Sequence, residues 1–173
     1  MTLEELCTAL DVQMASRSSE EERMSAAVQA LCQIYKVKPG EVAFFSYSPE
    51  SKSLAFRWPL RLAKSGTIPL SSADALISRT VQEKKGFINN HFASARHVAI
   101  FEQIRTDPDA IEPPKPIQKI MSVPLWKGEE IIGVLQVCRK GADQQLAGSD
   151  FGKGELMALT ELAKVCGRYL RSL

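Results

Sequence analysis

The chain has 173 residues, of which 45% are hydrophobic and 24% charged, and these totals are typical of one globular domain with a buried core. Its 22 Lys and Arg side chains nearly balance its 20 Asp and Glu side chains, so no strong positive field is expected to attract nucleic acid or acidic lipid. The N-terminus shows neither a signal-peptide pattern nor an apolar run long enough to span a membrane. We therefore expect a cytoplasmic protein without nucleic-acid or membrane contacts.

The four cysteines, Cys7, Cys32, Cys138 and Cys166, are widely spaced and lie within apolar patterns. No two of them form a CxxC pair, so buried reduced thiols are favoured over a disulfide framework or a zinc site. A reactive cysteine needs exposure and nearby positive charge, which Cys138 on a central strand is expected to lack. We expect no metal site and no catalytic residue.

Two helices are predicted at the start of the chain. Thr2 and Glu5 have capping-box spacing before a helix over residues 2–15. Ser19 and Glu22 form a second capping box, before a helix that runs to about residue 36 and has a wide apolar face. The narrower apolar stripe of the first helix consists of Leu3, Leu6, Leu10 and Met14.

Short strands follow these helices. Residues 41–47 and 53–58 alternate in polarity around a tight turn, which predicts an antiparallel hairpin, and residues 66–70 form a third short strand.

The middle of the chain is predicted to hold two further helices. Ser71 and Ser72 can cap one helix over residues 73–84, and Ser94 can cap another that runs to Arg105. A brief extended piece at 87–89 lies between them. The prolines within residues 106–116 exclude a helix and predict an exposed, stiff connecting loop.

Residues 117–140 are predicted to form a hairpin of two core strands. Alternation places Met121 and Val123 on one face of the first strand and Ser122 on the other. The second strand is apolar on both faces apart from Gln136, as expected for a central strand. Gly133 within it marks a bulge or a place where another backbone or a ligand comes close.

The last helix is predicted to start at Gly152 and Glu155 and to end at Leu170. It carries two apolar stripes, one with Leu156, Leu159, Ala163, Cys166 and Leu170 and one with Leu162, Val165 and Tyr169. One stripe can pack on the sheet and the other on a second subunit, so a symmetric homodimer is expected. The alternative is a helix that packs wholly within its own domain.

The order of these elements resembles that of a GAF domain. The resemblance is carried by Met121-Ser122-Val123-Pro124-Leu125, by Gly133-Val134-Leu135-Gln136-Val137, by Phe151 before the final helix, and by Gly86-Phe87-Ile88-Asn89-Asn90 upstream. It covers residues 19–171 as a single domain, with residues 1–18 as an N-terminal helix expected to contribute to a dimer contact.

This resemblance implies an α+β, GAF/PAS-like fold, with a central antiparallel sheet of about six strands covered by helices on both faces. It also implies a small-molecule ligand on one face and dimerisation through the first and last helices. The expected dimer interface comprises Leu3, Leu6, Leu10, Leu156, Leu159, Ala163 and Leu170. Marks of the cyclic-nucleotide and bilin-attaching subfamilies are missing, so the ligand and any cofactor stay unknown.

The expected ligand-binding residues combine aromatic walls with hydrogen-bonding groups, as small-ligand sites do. They are Phe45, Tyr47, Arg57, Trp58, Asn89, His91, His97, Phe101, Met121 and Val123. Arg57 is suited to a carboxylate or phosphate, and Trp58 to stacking. The alternatives are a turn residue for His91, a solvated helix residue for His97 and a core position for Phe45.

Three functions are compatible with these features. The first is a non-catalytic sensory or regulatory module that binds a small ligand, dimerises and acts on a downstream signalling protein. The second is a pocketless dimerisation or protein-interaction domain. The third resembles free methionine sulfoxide reductase, a GAF enzyme with cysteines in pocket-side loops, and the cysteine placement argues against it.

Overall fold

The protein is represented by a computed structural model, which describes residues 1–64, 66–71, 75–94 and 115–171. The helices within these ranges are α1 (Leu3–Ala15), α2 (Glu20–Tyr35), α3 (Leu76–Glu83) and α4 (Lys153–Tyr169). The strands are β1 (Val42–Ser48), β2 (Ser53–Trp58), β3 (Thr67–Pro69), β4 (Phe87–Asn89), β5 (Ile117–Lys127) and β6 (Glu130–Lys140).

The six strands form one antiparallel sheet in the order β3-β2-β1-β6-β5-β4. The long β5–β6 hairpin lies inside the sheet and is paired on both sides, as its apolar sequence predicted. The predicted α+β fold, with an antiparallel sheet of about six strands, is confirmed.

Helices cover both faces of this sheet and bury a separate core on each. The terminal-helix core lies under α1, α2 and α4 and includes Leu31, Phe44, Val123, Leu135 and Leu159. The α3 core lies on the opposite face, under α3, and includes Phe45, Phe56, Ile77, Val81, Ile120, Val134 and Cys138. Alternation along each strand sends successive side chains into the two cores in turn.

Local sequence signals determine where three of the helices begin. The Thr2 side chain accepts from the Glu5 amide at 3.2 Å, and the Glu5 carboxylate accepts from the Thr2 amide at 2.6 Å, so the predicted capping box is present. Ser19 caps α2 through the Glu22 amide at 3.1 Å. The Gly152 amide donates to Glu155 at the start of α4, at 3.1 Å.

Helix α3 starts later than predicted. The sequence suggested residues 73–84 with a serine cap, whereas α3 begins at Leu76 and its N-cap is Ala75, which has no side chain that can cap. The prediction of a cap at Ser71 and Ser72 is therefore wrong. The predicted helix over 94–105 lies outside the described residues except for Ser94, which ends a short 3-10 turn. Most of the predicted 106–116 loop lies outside them as well.

Two glycines allow backbones to approach closely. A Cβ atom on Gly133 would lie 2.0 Å from the carbonyl oxygen of Phe45 on the neighbouring strand. This confirms that Gly133 marks the close approach of another backbone. A Cβ atom on Gly167 would lie 2.0 Å from the carbonyl oxygen of Trp126. The backbone of α4 therefore packs directly against the backbone of β5 at this position.

The expected dimer-interface residues are mostly used inside the chain. Leu10, Leu159, Ala163 and Leu170 are between 0% and 6% exposed and pack in the terminal-helix core. They leave no surface for a second subunit, which corrects their assignment to an interface. Leu3, Leu6 and Leu156 are half-buried. For the buried residues of α4, the alternative prediction is the right one: this apolar stripe packs within its own domain.

No helix within the described ranges has the length and apolar character needed to cross a membrane.

Candidate functional site

The structure does not bring the predicted ligand-binding residues together on one face of the sheet. Phe45 is buried in the α3 core, where its ring centroid lies 4.5 Å from that of Phe56. Tyr47 packs half-buried against the same core. These two aromatic residues therefore share the α3 face, as the alternation along their strand predicted.

Met121, Val123 and Trp58 lie on the other face. Met121 and Val123 are 0% exposed in the terminal-helix core, and Trp58 packs against that core. They are separated from Phe45 by the thickness of the sheet, which corrects the expectation of a shared pocket. The alternation predicted for β5 is right, but it does not say which face of the sheet a ligand would occupy.

Arg57 also lies on the terminal-helix face. Its guanidinium donates to the carboxylate of Glu20, the first residue of α2, which Arg171 also approaches at 3.5 Å. Arg57 was expected to hold a carboxylate. In the structure that carboxylate belongs to the chain itself, so this arginine joins β2 to α2.

Asn89 and His91 form a turn at the end of β4. The Asn89 side-chain oxygen accepts from the His91 amide at 2.9 Å, and the His91 carbonyl accepts from the Ser94 amide at 3.1 Å. The His91 residue is exposed, as the turn alternative describes. His97 and Phe101 lie outside the described residues.

Asn90 connects this turn to the start of α4. Its side-chain amide donates to the Phe151 carbonyl at 3.0 Å, and its side-chain oxygen accepts from the Phe151 amide at 2.9 Å. The side chain of Gln144 donates to the Asn90 carbonyl at 2.9 Å. Asn90 therefore has a structural role, holding the β4 turn and the α4 start in a fixed relation.

A buried polar chain crosses the α3 face of the sheet. The Thr80 hydroxyl lies 2.8 Å from the Leu76 carbonyl oxygen and 2.7 Å from the Ser122 hydroxyl. The Gln136 side-chain nitrogen lies 3.1 Å from that same Ser122 hydroxyl. Thr80 and Ser122 are 0% exposed and Gln136 is 3% exposed. We call Thr80, Ser122 and Gln136 the buried polar chain.

The side chains around the buried polar chain are mostly apolar, and some of them are small. Strand register places Gln136 between Ala43 on β1 and Ser122 on β5. Along β6 its neighbours on the same face are Val134 and Cys138, both members of the α3 core. Hydrogen-bonding groups set in an apolar wall are the usual composition of a small-ligand site. The sequence showed Gln136 and Ser122 only as polar breaks in apolar strands.

Buried charge lies on the opposite face and has a structural use. The Arg139 guanidinium donates to the carbonyl oxygens of Ser149 and Tyr35, at 2.7 Å and 2.9 Å, and stacks 4.1 Å from the Phe151 ring. The Lys119 ammonium donates to the Gly148 carbonyl and pairs with Asp150 at 2.9 Å. These contacts fasten the loop before α4 onto the sheet.

The cysteines are poorly suited to nucleophilic chemistry. Burial, with a smaller effect from nearby carboxylates, raises the pKa of the Cys7 and Cys32 thiols. Burial raises the pKa of Cys166 to about 12. Cys138 is 0% exposed within the α3 core. In the part of the chain that the structure describes, no cluster of His, Cys, Asp and Glu could hold a metal ion.

Comparisons of this chain with protein-family models and with curated proteins find no match. Among solved structures, the GAF domain of an Acinetobacter phosphoenolpyruvate-protein phosphotransferase superposes with a TM-score of 0.71 at 13% identity, over 98% of this chain and 94% of that one. The structure therefore has the fold of GAF domains, which confirms the resemblance.

Two further solved structures with the same fold contain small molecules. Free methionine-R-sulfoxide reductase from Neisseria meningitidis, in complex with its substrate, superposes with a TM-score of 0.63 at 17% identity, over 96% of this chain and 87% of that one. A far-red absorbing protein with bound biliverdin IXa has a TM-score of 0.63 at 12% identity, over 95% of this chain and 96% of that one. At these identities the likeness concerns the fold alone.

Proposed function

We propose that this chain is a non-catalytic sensory or regulatory GAF module that binds a small ligand on the α3 face of its sheet. The observation that carries the proposal is the buried polar chain of Thr80, Ser122 and Gln136 within an apolar core. Phe45 and Tyr47 would form the aromatic wall of the proposed site on the same face. Asn89 and His91, at the end of β4, remain proposed contacts, as do His97 and Phe101.

A core that served only for stability would favour apolar side chains at the centre of the sheet. Burying an amide or a hydroxyl costs about 1 to 3 kcal/mol when its hydrogen bonds are incomplete. The terminal-helix core has apolar residues at the corresponding central positions, Val123, Leu135 and Val137. Buried polar groups that are unfavourable for stability tend to be found at functional sites, which supports a binding role for the α3 face.

The proposed mechanism is a shift in population between two arrangements of the layer that contains α3. A ligand that prefers one arrangement changes the equilibrium only by its difference in affinity for the two. Strands β5 and β6 carry residues of both cores, so a change on one face can reach α4 on the other. A downstream signalling protein that contacts α1 or α4 would sense that change.

Native mass spectrometry of gently purified protein, compared with its denatured mass, tests ligand binding directly. We expect extra non-covalent mass that is lost on denaturation. Protein that carries no added mass, and that retains none after incubation with cell metabolite extract, would favour the pocketless interaction domain instead.

We also propose that the module forms a homodimer through the outer surfaces of α1 and α4. Since the predicted apolar stripes are buried, the contact would use exposed positions on the same helices. Val12 is 62% exposed and Met157 is 68% exposed, and both are large apolar side chains.

Light scattering after size-exclusion chromatography tests this contact. The Val12→Glu and Met157→Glu variants should shift the mass from dimer to monomer. Leu146→Glu is the matched control, because Leu146 is 71% exposed in the loop before α4 and should leave the dimer intact. A wild-type protein that is monomeric at about 100 μM, far above the dissociation constants of specific interfaces, would contradict the proposal.

Catalysis of methionine sulfoxide reduction is the alternative suggested by a structural neighbour. The raised thiol pKa values and the burial of Cys138 argue against it, since the thiolate is the nucleophilic form. We expect no turnover of free methionine sulfoxide with a dithiol reductant. Turnover that disappears in Cys138→Ser would identify the chain as an enzyme.

A further inference from the structure

The buried polar chain has a defined direction of hydrogen bonding. The Leu76 carbonyl oxygen can only accept, and we assign the single Thr80 hydroxyl proton to the 2.8 Å contact with it. Thr80 then has no proton for Ser122, and the Ser122 hydroxyl must be the donor in the 2.7 Å contact between them. Ser122 in turn can only accept from the third member of the chain.

This direction fixes the orientation of the Gln136 side-chain amide. Since Ser122 can only accept, the group 3.1 Å from it must be the NH₂ nitrogen of Gln136. The Gln136 carbonyl oxygen, Oε1, is therefore turned away from Ser122. None of the described residues donates a hydrogen bond to this oxygen, although the residue is only 3% exposed.

We propose that Gln136 Oε1 is the hydrogen-bond acceptor for the ligand, and that the ligand is a small, largely apolar molecule that presents an N–H or O–H donor. This inference rests on the proposed function and names the ligand chemistry of the same site. An acceptor that is buried without a donor is unfavourable, and a bound donor removes that penalty. The specificity of such a site lies in a few placed polar groups, with the apolar wall supplying contact area.

The position of Gln136 suits this role. The two residues beside it across the strands, Ala43 and Ser122, both have shorter side chains than the amide. The remaining wall is apolar, with Val134, Ile120 and Phe45 in the α3 core. A molecule seated there would place its apolar body on this wall and its donor on Oε1.

The first part of the test measures stability without any ligand. Gln136→Leu removes the acceptor for which the described residues supply no donor, together with the bond from the Gln136 NH₂ group to Ser122. Because these two losses offset each other, the urea midpoint should change little. Asn90→Leu is the control, because both polar atoms of the Asn90 side chain are bonded, to the Phe151 carbonyl at 3.0 Å and to the Phe151 amide at 2.9 Å. The control should lower the midpoint. A comparable loss in Gln136→Leu would show that Oε1 already has a donor, such as a buried water, and would overturn the inference.

The second part measures binding by ligand-detected NMR with matched probe pairs, indole against 1-methylindole and phenol against anisole. Within each pair the methylated molecule keeps the apolar body and loses the donor. Wild-type protein should bind the donor member about tenfold more tightly, which is the value of one hydrogen bond of ordinary strength. Gln136→Leu should bind both members equally.

The outcomes separate the two proposals. Binding of both members of a pair with equal affinity by wild-type protein would overturn the role of Gln136 and leave the proposed small-molecule site standing. Failure of every probe to bind, in wild type and variant alike, would count against the site itself and so against both proposals.

Discussion

The two faces of the sheet differ in what they bury. The terminal-helix core is closed by three helices, and its buried cation Arg139 has two backbone carbonyls as partners. The α3 core has one eight-residue helix among its described elements, and its buried groups are neutral hydroxyls and an amide. Arg139 and Lys119 on the first face bond to carbonyl oxygens of the chain, whereas none of the described residues donates to the Gln136 side-chain oxygen on the second. This contrast supports the proposal that the α3 face binds a ligand while the terminal-helix face serves stability.

Both faces depend on the β5–β6 hairpin, which supplies side chains to each core in alternation. Ser122 and Gln136 are neighbours across the strands on the α3 face, and Met121 and Val137 are neighbours in the terminal-helix core. A change in the position of these strands is therefore felt on both sides.

The largest effect is expected at the contact between α4 and β5. Gly167→Ala places a Cβ atom 2.0 Å from the Trp126 carbonyl oxygen, and because that atom belongs to the backbone, the helix must move. We expect a loss of about 3 kcal/mol or more in the free energy of unfolding, measured by urea denaturation.

Gly154→Ala is the control for this substitution. Gly154 lies in the first turn of the same helix, and no atom lies within 4 Å of its added Cβ. The control should be neutral or more stable by up to about 1 kcal/mol, because alanine favours a helix. Equal effects for the two variants would mean that α4 does not contact β5 as closely as described.

The next effect concerns the buried cation. Arg139→Met removes the donors to the Tyr35 and Ser149 carbonyls and the stacking on Phe151, and we expect a loss of about 2 kcal/mol in unfolding free energy. Lys164→Met removes an exposed pair with Glu161 and should cost no more than about 0.5 kcal/mol. A small effect at Arg139 would argue that the loop before α4 is held by other contacts.

Much of the terminal-helix face was predictable because its signals are local. These signals are the capping box at Thr2, the bond from the Gly152 amide to Glu155 and the apolar stripes at helical spacing, each formed by residues a few positions apart. Helix α3 was placed too early because its start at Ala75 lacks a side-chain cap. Its position is set by packing in the α3 core, which no local pattern reports.

The candidate site was less predictable for a geometric reason. Alternation tells which residues share a face, but Met121 and Val123 were assigned to the ligand because nothing in β5 identifies the face opposite the terminal helices. Gln136 was visible as the polar break in its strand. Its link to Thr80 was not visible, because Thr80 and Ser122 are 42 residues apart in sequence and meet only through the fold.

A smaller effect is expected from the buried polar chain itself. Thr80→Val keeps the shape of the side chain and leaves the Ser122 hydroxyl without its acceptor, so we expect a loss of about 1 kcal/mol in unfolding free energy. Thr160→Val on α4 is the matched control, because Thr160 also bonds the carbonyl four residues earlier, at 2.9 Å, but is only half-buried. The control should change stability by less than about 0.5 kcal/mol.

The smallest effect is a pH dependence on the terminal-helix face. The hydrogen bond from Lys119 holds the pKa of Asp150 below its ordinary value of 3.8. A carboxylate with a depressed pKa in the folded state stabilises the protein above that value, and the contribution is lost as the pH falls through the folded pKa. Wild-type protein should therefore lose more stability than Asp150→Asn when urea denaturation is repeated from pH 5 down to about pH 2, a window that contains both pKa values.

The Lys119→Met background isolates this pair. With the ammonium removed, Asp150→Asn should no longer alter the pH dependence, because the hydrogen bond that lowered the pKa is gone. The same difference in both backgrounds would assign the acid sensitivity to another carboxylate. Asp150 is 63% exposed, so acid protonates it directly and leaves the Lys119 ammonium, only 5% exposed, without its ion-pair partner. We therefore expect acid to loosen the loop before α4 at a higher pH than it unfolds the sheet.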